Sequence, residues 1–421
     1  MTQLKILISG GGIAGNAVAL WLSKLGHDIT IIERFPSLRT TGLQIDLRGH
    51  GIEVLKRMGL DEAFYAKAAP EQGIEIVDKS GRRRGYFPAN TSGTGTQNFT
   101  SEYEIMRGDL CRIMHDVTKD RVEYVFGKSI ESFEEKDDAV EVRFSDGRMG
   151  RYDLLVGADG QGSRTRKMML GSGAADAFVQ VGDGEYIAYF TIPRPIRDGE
   201  EYMGTFYIAT GNRWVMTRRS NPEEMQIYLA CKLDAGRLSA ARLEGVKEEK
   251  EALTEIFKGA GWQLDEILES LSDTDNFYGE HLGLVKLESW SRGRVTLLGD
   301  AGYCPSVNTG MGTSSAMVGA YILAGEIGRY CDRIERGDSN DGVAAALKAY
   351  EEKFRPFMDH VQKGVEESSG WDSFMSTSFG IAVINCLMGV ASFFKVNVGK
   401  WSLKENIKGW DLPEYEEMSQ D

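Results

Sequence analysis

The chain is 421 residues long, with 49 Lys and Arg against 63 Asp and Glu, a formal net charge of −14. That balance excludes a nucleic-acid surface, which needs clustered cations, and the length exceeds what one core usually holds, so two domains are expected. Cys111, Cys231, Cys304, Cys331 and Cys386 show no CxxC spacing and the five histidines no HxH or HxxxH pair, which argues against a disulfide framework and a metal site and for a reducing, cytoplasmic setting.

Residues 5–34 read KILISGGGIAGNAVALWLSKLGHDITIIER. Residues 1–5 are too short for a secretory signal, so none is expected. Leu4, Ile6, Leu7 and Ile8 predict a strand, and Gly10, Gly12 and Gly15 follow in GxGxxG spacing. Ala14, Val18, Trp21, Leu22 and Leu25, three and four apart, predict a helix that stops at Gly26. A second strand over 28–32 ends at Glu33, 18 residues beyond Gly15, with Arg34 next to it. In such a unit one glycine makes the tight turn, the next lets backbone approach a pyrophosphate, and the third lets helix and strand pack closely. The helix start at Gly12, Ile13 and Ala14 turns unpaired amides to the phosphates. A carboxylate at Glu33 accepts ribose hydroxyls and disfavours a 2′-phosphate, so the pattern predicts NAD or FAD without choosing between them.

Residues 42–60 read as a short extended piece turning at Gly49 and Gly51 into a helix with Ile52, Leu55 and Met58 on one face. Arg48, on that glycine-flanked turn, is a candidate to reach a flavin or a nicotinamide. Residues 74–77 and 84–87 predict a hairpin, with Arg82 to Arg84 as its solvated edge, and 90–100 a polar loop. Arg107 stands where a strand end meets a helix whose predicted buried face is Leu110, Ile113, Met114 and Val117. Strands follow over 129–134 and 139–144, then a hairpin closed by Asp146 and Gly147 as a type I′ turn, and a strand over 151–157. From about 170 to 284 alternating stretches predict antiparallel sheet with one charged helix near 244–258. Phe190, Phe206, Trp214 and Tyr228 are its candidate pocket residues. The chain returns to the first fold with a strand over 294–298 and a glycine-rich loop opening a helix over 310–330. A charged helix covers 343–365, an apolar helix over 379–394 is expected to be buried or to bridge the domains, and the tail from 414 is expected to fray. That stretch is 16 residues, with Asn385, two glycines and Ser392 among them, and falls short of the ~20 that span a bilayer.

Three motifs in this order resemble the single-component FAD-dependent aromatic hydroxylases, the family of para-hydroxybenzoate hydroxylase and the tetracycline-inactivating monooxygenases. They are the opening stretch with Glu33; ADGQGSRTR, matching the DG motif at Asp159, Gly160, Ser163 and Arg166; and GDAGYCPS, matching the GD motif at Gly299, Asp300, Ala301 and Pro305. In detail the DLRG run at Arg48 and the stretch from GDAGYCPS onward look most like the tetracycline-inactivating branch. The resemblance implies an α/β fold: a Rossmann-type FAD-binding domain with a parallel sheet, an antiparallel-sheet substrate domain, and C-terminal helices. It implies FAD-binding segments at 1–70, 105–170 and 286–365, a substrate domain at 71–104 and 171–285, and a bridging or lid element at 366–421.

It further implies a monooxygenase in which NADPH or NADH reduces FAD, O2 adds as a C4a-hydroperoxide, and one oxygen passes to a small aromatic or polycyclic substrate. Asp300 would accept from the flavin ribityl or ribose, Arg107 would hold the pyrophosphate or ribityl chain, and Gly310, Met311 and Gly312 would turn amides to the flavin N1 and O2 edge. Asp159 would join the nucleotide sheet to the site. No catalytic base is named, and a monomer without nucleic-acid or membrane partners is expected. The family usually has Gln and Asn where Met311 and Ser314 stand, so two flavin-orienting amides are missing. Two other readings stay open: a flavin oxidase or dehydrogenase without oxygen insertion, and a non-catalytic flavin-fold binding protein.

Overall fold

The computed structural model describes residues 3–90, 100–171, 177–181, 184–232, 237–331, 342–366, 374, 376–396, 407 and 409–418. All but the ends of the loop expected over 90–100, and residues 419–421 of the tail, lie outside them. The first apolar run forms the strand Lys5–Ser9, with Ile6, Leu7 and Ile8 fully buried. Strands buried on both faces belong to parallel sheets covered by helices on each side. Here Lys5–Ser9 lies between Leu154–Gly157 and Asp28–Glu33, all parallel, in the order Ser291–Arg292, Val295–Leu297, Leu154–Gly157, Lys5–Ser9, Asp28–Glu33, Glu123–Phe126. The expected strand over 151–157 is two strands, Met149–Tyr152 and Leu154–Gly157, in different sheets. The break is Asp153, whose carboxylate accepts from the Lys5 amide at 2.7 Å.

Met149–Tyr152 closes a three-stranded meander with Ile130–Lys136 and Ala139–Phe144. Its turns correct the expected chemistry. Both Asp137 and Asp138 have positive φ, 46° and 57°, the signature of a type I′ turn. At Asp146 and Gly147 only the glycine does, φ 83°, and the Phe144 amide bonds the Arg148 carbonyl across a three-residue loop.

The helix Gly312–Cys331 is buried almost all round, between Ile13–Lys24 and Gly342–Gln362. Its Met317 and Tyr321 share one core with Val18, Trp21, Tyr350 and Phe354. The helix Arg107–Thr118 buries Leu110, Cys111, Met114 and Thr118, while Val117, expected inside, is exposed.

The second large sheet has seven strands in the order Phe277–His281, Glu185–Pro193, Glu224–Lys232, Arg213–Arg218, Met203–Ala209, Gly73–Val77, Arg83–Pro88. All its pairings are antiparallel except Met203–Ala209 with Gly73–Val77. Strand alternation gives it two faces. Tyr186, Phe190, Val215, Ile227 and Leu229 meet the helices Arg237–Glu244, Val246–Phe257 and Leu264–Leu271. The helix expected near 244–258 is Val246–Phe257, and two shorter helices flank it, set off by Gly245, Gly259 and Gly261 at φ 139°, 68° and 101°. On the other face Ile187, Tyr189, Tyr228 and Ala230 form a separate cluster with Leu43 and Leu282, facing the nucleotide-fold side.

The apolar C-terminal helix, Ser378–Phe393, is not buried: Gly380 is its one buried residue. It docks on the edge strand Arg83–Pro88, where the Ser392 hydroxyl accepts from the Tyr86 amide and donates to its carbonyl, both at 2.9 Å. Those are the groups an edge strand leaves open. Phe379, Leu387, Phe393 and Phe394 stay exposed. No helix among the described residues is long and apolar enough to cross a membrane. The tail does not fray at its start: Tyr415 is buried and donates to Glu326, and Arg57 holds the Pro413 carbonyl at 3.0 Å.

Candidate active site

A cleft opens at the carboxyl ends of the parallel strands, lined by Gly10, Gly12, Glu33, Arg34, Arg39, Arg107, Asp159 and Gly160 among others. Open α/β sheets bind ligands at this end. The three glycines are held by three separate constraints. Gly10 has φ 113°, and a Cβ there would meet the Ala158 carbonyl oxygen at 2.5 Å. A Cβ on Gly15 would lie 2.0 Å from the Gly10 oxygen. Gly12 is open but for Arg107, and it starts the helix Ile13–Lys24 with extended backbone and no side-chain cap. The amides of Ile13 and Ala14 are therefore left for an anion. Asn16 fixes this turn, donating to the Gly11 and Gly12 carbonyls at 2.7 and 2.9 Å and accepting from Tyr124. Sequence reading missed Asn16; a polar residue inside an apolar helix pattern was its signal.

Glu33 is held by the Gly11 and Phe35 amides at 2.9 and 3.0 Å. A carboxylate has four acceptor sites, so two stay available. Arg34 and Arg39 lie over the Phe35 ring. Arg107 is gripped by the 40–42 loop: a Cβ on Gly42 would meet its Cδ at 2.9 Å, and its Nη1 donates to the Thr41 carbonyl at 3.2 Å. Burial lowers the Arg39 pKa, and the charges of Arg107 and Arg34 lower it further. Cations that repel one another in a chain of net charge −14 mark a place built for an anion. Arg39 was the second residue missed.

Asp159 lines the cleft, but its carboxylate accepts from the Ser163 hydroxyl, from the Arg164 and Thr165 amides at 2.9 and 3.0 Å, and from the Thr165 hydroxyl at 3.0 Å. It anchors the start of the helix Arg164–Leu170. Arg166, fully buried, donates to the Gln161 carbonyl at 2.7 Å and the Ala301 carbonyl at 3.0 Å, so the DG and GD motifs are stapled together. Gly299 has φ 63°, and its Cβ would meet that of Ala14 at 2.9 Å, which seats the GD turn on the first helix. Asp300 lies deep yet keeps part of its surface open, and burial raises its pKa.

Gly310, in the left-handed region at φ 64°, ends the turn Val307–Thr309, and Gly312, with open space where a Cβ would stand, begins the long helix. Met311 stands between them. Its side chain is fully buried in the main core and its amide donates to the Thr309 hydroxyl at 3.1 Å. Ser314 is also committed: its hydroxyl accepts from the Arg48 amide at 2.8 Å, and a Cβ on Gly51 would lie 2.7 Å from it. Helix His50–Arg57 approaches so closely there that position 51 must be glycine. Arg48 itself is 2 % exposed and ion-paired with Asp46.

Of the expected pocket residues, Trp214 and Tyr228 lie on the sheet face toward the nucleotide fold, and Phe206 packs on Trp214 at 5.3 Å. Phe190 lies on the opposite face under the helices, because it is one residue out of phase with Tyr189.

The family described as FAD binding domain matches residues 3–364. The chain is 51% identical over 428 residues to the FAD-dependent monooxygenase asL4 of Sarocladium schorii, covering 99% of each chain. It is 39% identical over 409 residues to the flavin-dependent monooxygenase eupH of a Phoma species, covering 93% of each. The crystal structure of tetracycline destructase Tet(51) superposes with a TM-score of 0.74 at 29% identity, covering 98% of this chain and 99% of that one. The order of the strands, the motif turns and these matches together make the chain a member of the FAD-dependent monooxygenase family.

Proposed function

We propose that the cleft holds FAD, reduced by NADPH or NADH, and that one oxygen atom of O2 is transferred to an aromatic or polycyclic small molecule lying on the sheet face of Tyr189, Trp214 and Tyr228. The observation that carries this reading is the crowding of Arg34, Arg39 and Arg107 beside uncapped helix amides at the Gly12 turn. Those groups suit a pyrophosphate. Glu33 would take the adenosine ribose, Asp300 the ribityl hydroxyls, and the backbone at Gly310 and Gly312 the flavin edge. Arg48 would stand beside the flavin, and Asp159 and Arg166 would keep the two motif turns in register. Bound FAD supplies electron transfer and oxygen activation; the chain supplies binding, orientation and a dry cleft.

A fused-ring substrate is favoured by the row of aromatic side chains and by the likeness to a tetracycline destructase. Met311 and Ser314 give no support to a flavin-free binding protein, since the core uses both. The test is direct. The purified protein should be yellow, absorbing at about 450 nm, and release FAD on denaturation. Aromatic compounds, tetracyclines included, should then accelerate NAD(P)H oxidation and gain one oxygen by mass. A colourless protein that cannot be reconstituted overturns the reading, and hydrogen peroxide as sole product with every compound makes it an oxidase.

A further inference from the structure

Glu280 is a carboxylate that the sequence did not single out and that no step above uses. It lies on the edge strand Phe277–His281, two residues beyond Tyr278 and so on the same face, toward the nucleotide fold. Register aligns Tyr278 with Tyr189, and Tyr189 with Tyr228, so three phenol rings cross three strands in one row. Tyr189 and Tyr278 are stacked at 4.6 Å, and the Tyr189 hydroxyl donates to Glu280 Oε1 at 2.9 Å. Arg39, which lines the nucleotide cleft, lies over the Tyr278 ring at 5.7 Å. This row therefore meets the cleft.

Two facts separate Glu280 from an ordinary buried carboxylate. Among the described residues its hydrogen-bond partner is Tyr189, and no lysine or arginine forms an ion pair with it. Its side chain, like those of Tyr278 and Asp300, is also only partly buried. The groups that act on it are Tyr189 and Tyr278 from the sheet, Asp300 and Cys304 from the GD turn, Arg107 and Arg39 from the nucleotide side, and Arg242 from the outer helices.

We propose that Glu280, oriented by Tyr189, is the residue that exchanges a proton with an acidic hydroxyl of the substrate, a phenol or an enol. The O–H bond of the substrate breaks, its proton moves to the Glu280 carboxylate, and the oxygen keeps the electron pair; nothing is oxidised or reduced. An electron-rich ring carbon results, the form that accepts an electrophilic oxygen. Burial, with the charge of Asp300 adding to it against Tyr189, Arg107 and Arg39, raises this carboxyl to about 7. A proton acceptor works best near the operating pH. The proposal rests on the monooxygenase reading above.

The probe is 4-hydroxyacetophenone, whose anion absorbs at longer wavelength than its neutral form, bound to the FAD-loaded protein, with 4-methoxyacetophenone as the control that cannot ionise. In the wild type the rate of NAD(P)H-dependent oxygen insertion into the probe should rise about tenfold per pH unit below pH 7 and level off above it, as the acceptor loses its own proton. Glu280→Gln should lower that rate about tenfold at pH 7 and remove the levelling near pH 7, with FAD content and binding of the methoxy control unchanged; Tyr189→Phe should fall between. Wild-type protein that does not bind or oxygenate the probe, or a Glu280→Gln variant with an equal rate and the same pH profile, overturns the proposal. A variant that loses FAD or the methoxy control also overturns it, since Glu280 would then be structural. The monooxygenase reading fails separately, when wild-type protein takes up no FAD or no compound accelerates NAD(P)H oxidation.

Discussion

The nucleotide end and the sheet face beside it are built by different means. At the nucleotide end the geometry is set by backbone: Gly10 and Gly15 leave no room for a Cβ, and Gly12 opens a helix without a side-chain cap. On the sheet face it is set by side chains brought together by register, as with Tyr278, Tyr189 and Tyr228. Backbone constraints tolerate almost no substitution, whereas a side-chain surface can change residue by residue. The two ends should therefore respond very differently to mutation.

The largest effect is expected at Gly15. An alanine Cβ placed 2.0 Å from the Gly10 oxygen must displace the turn or the helix. Gly15→Ala should cost about 4 kcal/mol, in the range of severe core disruptions, and thermal unfolding with and without added FAD measures it. A variant that melts within a degree or two of wild type would show that the turn is compliant.

Between the two regions lies a buried charge cluster. Arg218 is bonded by Glu71, at 2.6 Å to each carboxylate oxygen, and by Glu104, while Gln44 donates to Glu71 at 3.2 Å and to Glu104 at 2.6 Å. One cation between two carboxylates leaves one of them in excess. Burial, with Glu71 and Asp46 adding and Arg218 opposing, raises Glu104 to about 7. The native state then holds a proton that the unfolded chain releases near its ordinary value of 4.5, so this group's contribution to stability falls as pH rises from about 4.5 to 7 and is level above that. Glu104→Gln should remove that slope, worth about 3 kcal/mol. Urea midpoints at a series of pH values check this, and an unchanged slope would assign it to other groups.

Ser314→Asn follows. It restores the residue usual in the resembled family, yet the added atoms must fit beside Gly51, where even a Cβ would lie 2.7 Å from the serine hydroxyl. Overpacking of this kind costs about 2 kcal/mol. The variant should therefore melt lower and bind FAD no more tightly, while tighter binding would mean that the site lacks a flavin-orienting amide.

What the sequence disclosed follows the same division. Gly10, Gly12, Gly15, Glu33, Asp159 and Asp300 stand in local motifs whose spacing carries their geometry; Gly10, Gly12, Glu33 and Asp159 line the cleft, and Gly15 packs against Gly10. Asn16, Arg39 and Glu280 belong to no motif, since each is defined by a partner on another element. Phe190 was placed on the wrong face because one residue of register reverses a strand. Met311 and Ser314 stand where the resembled family has flavin-orienting amides, and only the fold shows what engages their side chains here, the main core for Met311 and the Arg48 amide for Ser314.

The smallest effect is expected where exposure is greatest. The helix Ser378–Phe393 presents Phe393 to solvent at 81% exposure, so Phe393→Ser should change stability by less than about 0.5 kcal/mol. Its attachment lies on the other side, where backbone meets backbone: a Cβ on Gly389 would come within 2.8 Å of the Arg84 carbonyl oxygen. Gly389→Ala should lift the helix from the edge strand, open the Tyr86 amide and carbonyl that Ser392 now satisfies, and expose this segment to limited proteolysis. A Gly389→Ala variant as protease-resistant as Phe393→Ser and the wild type would show that the edge strand accommodates the added methyl and that close backbone approach at Gly389 is not what holds the helix.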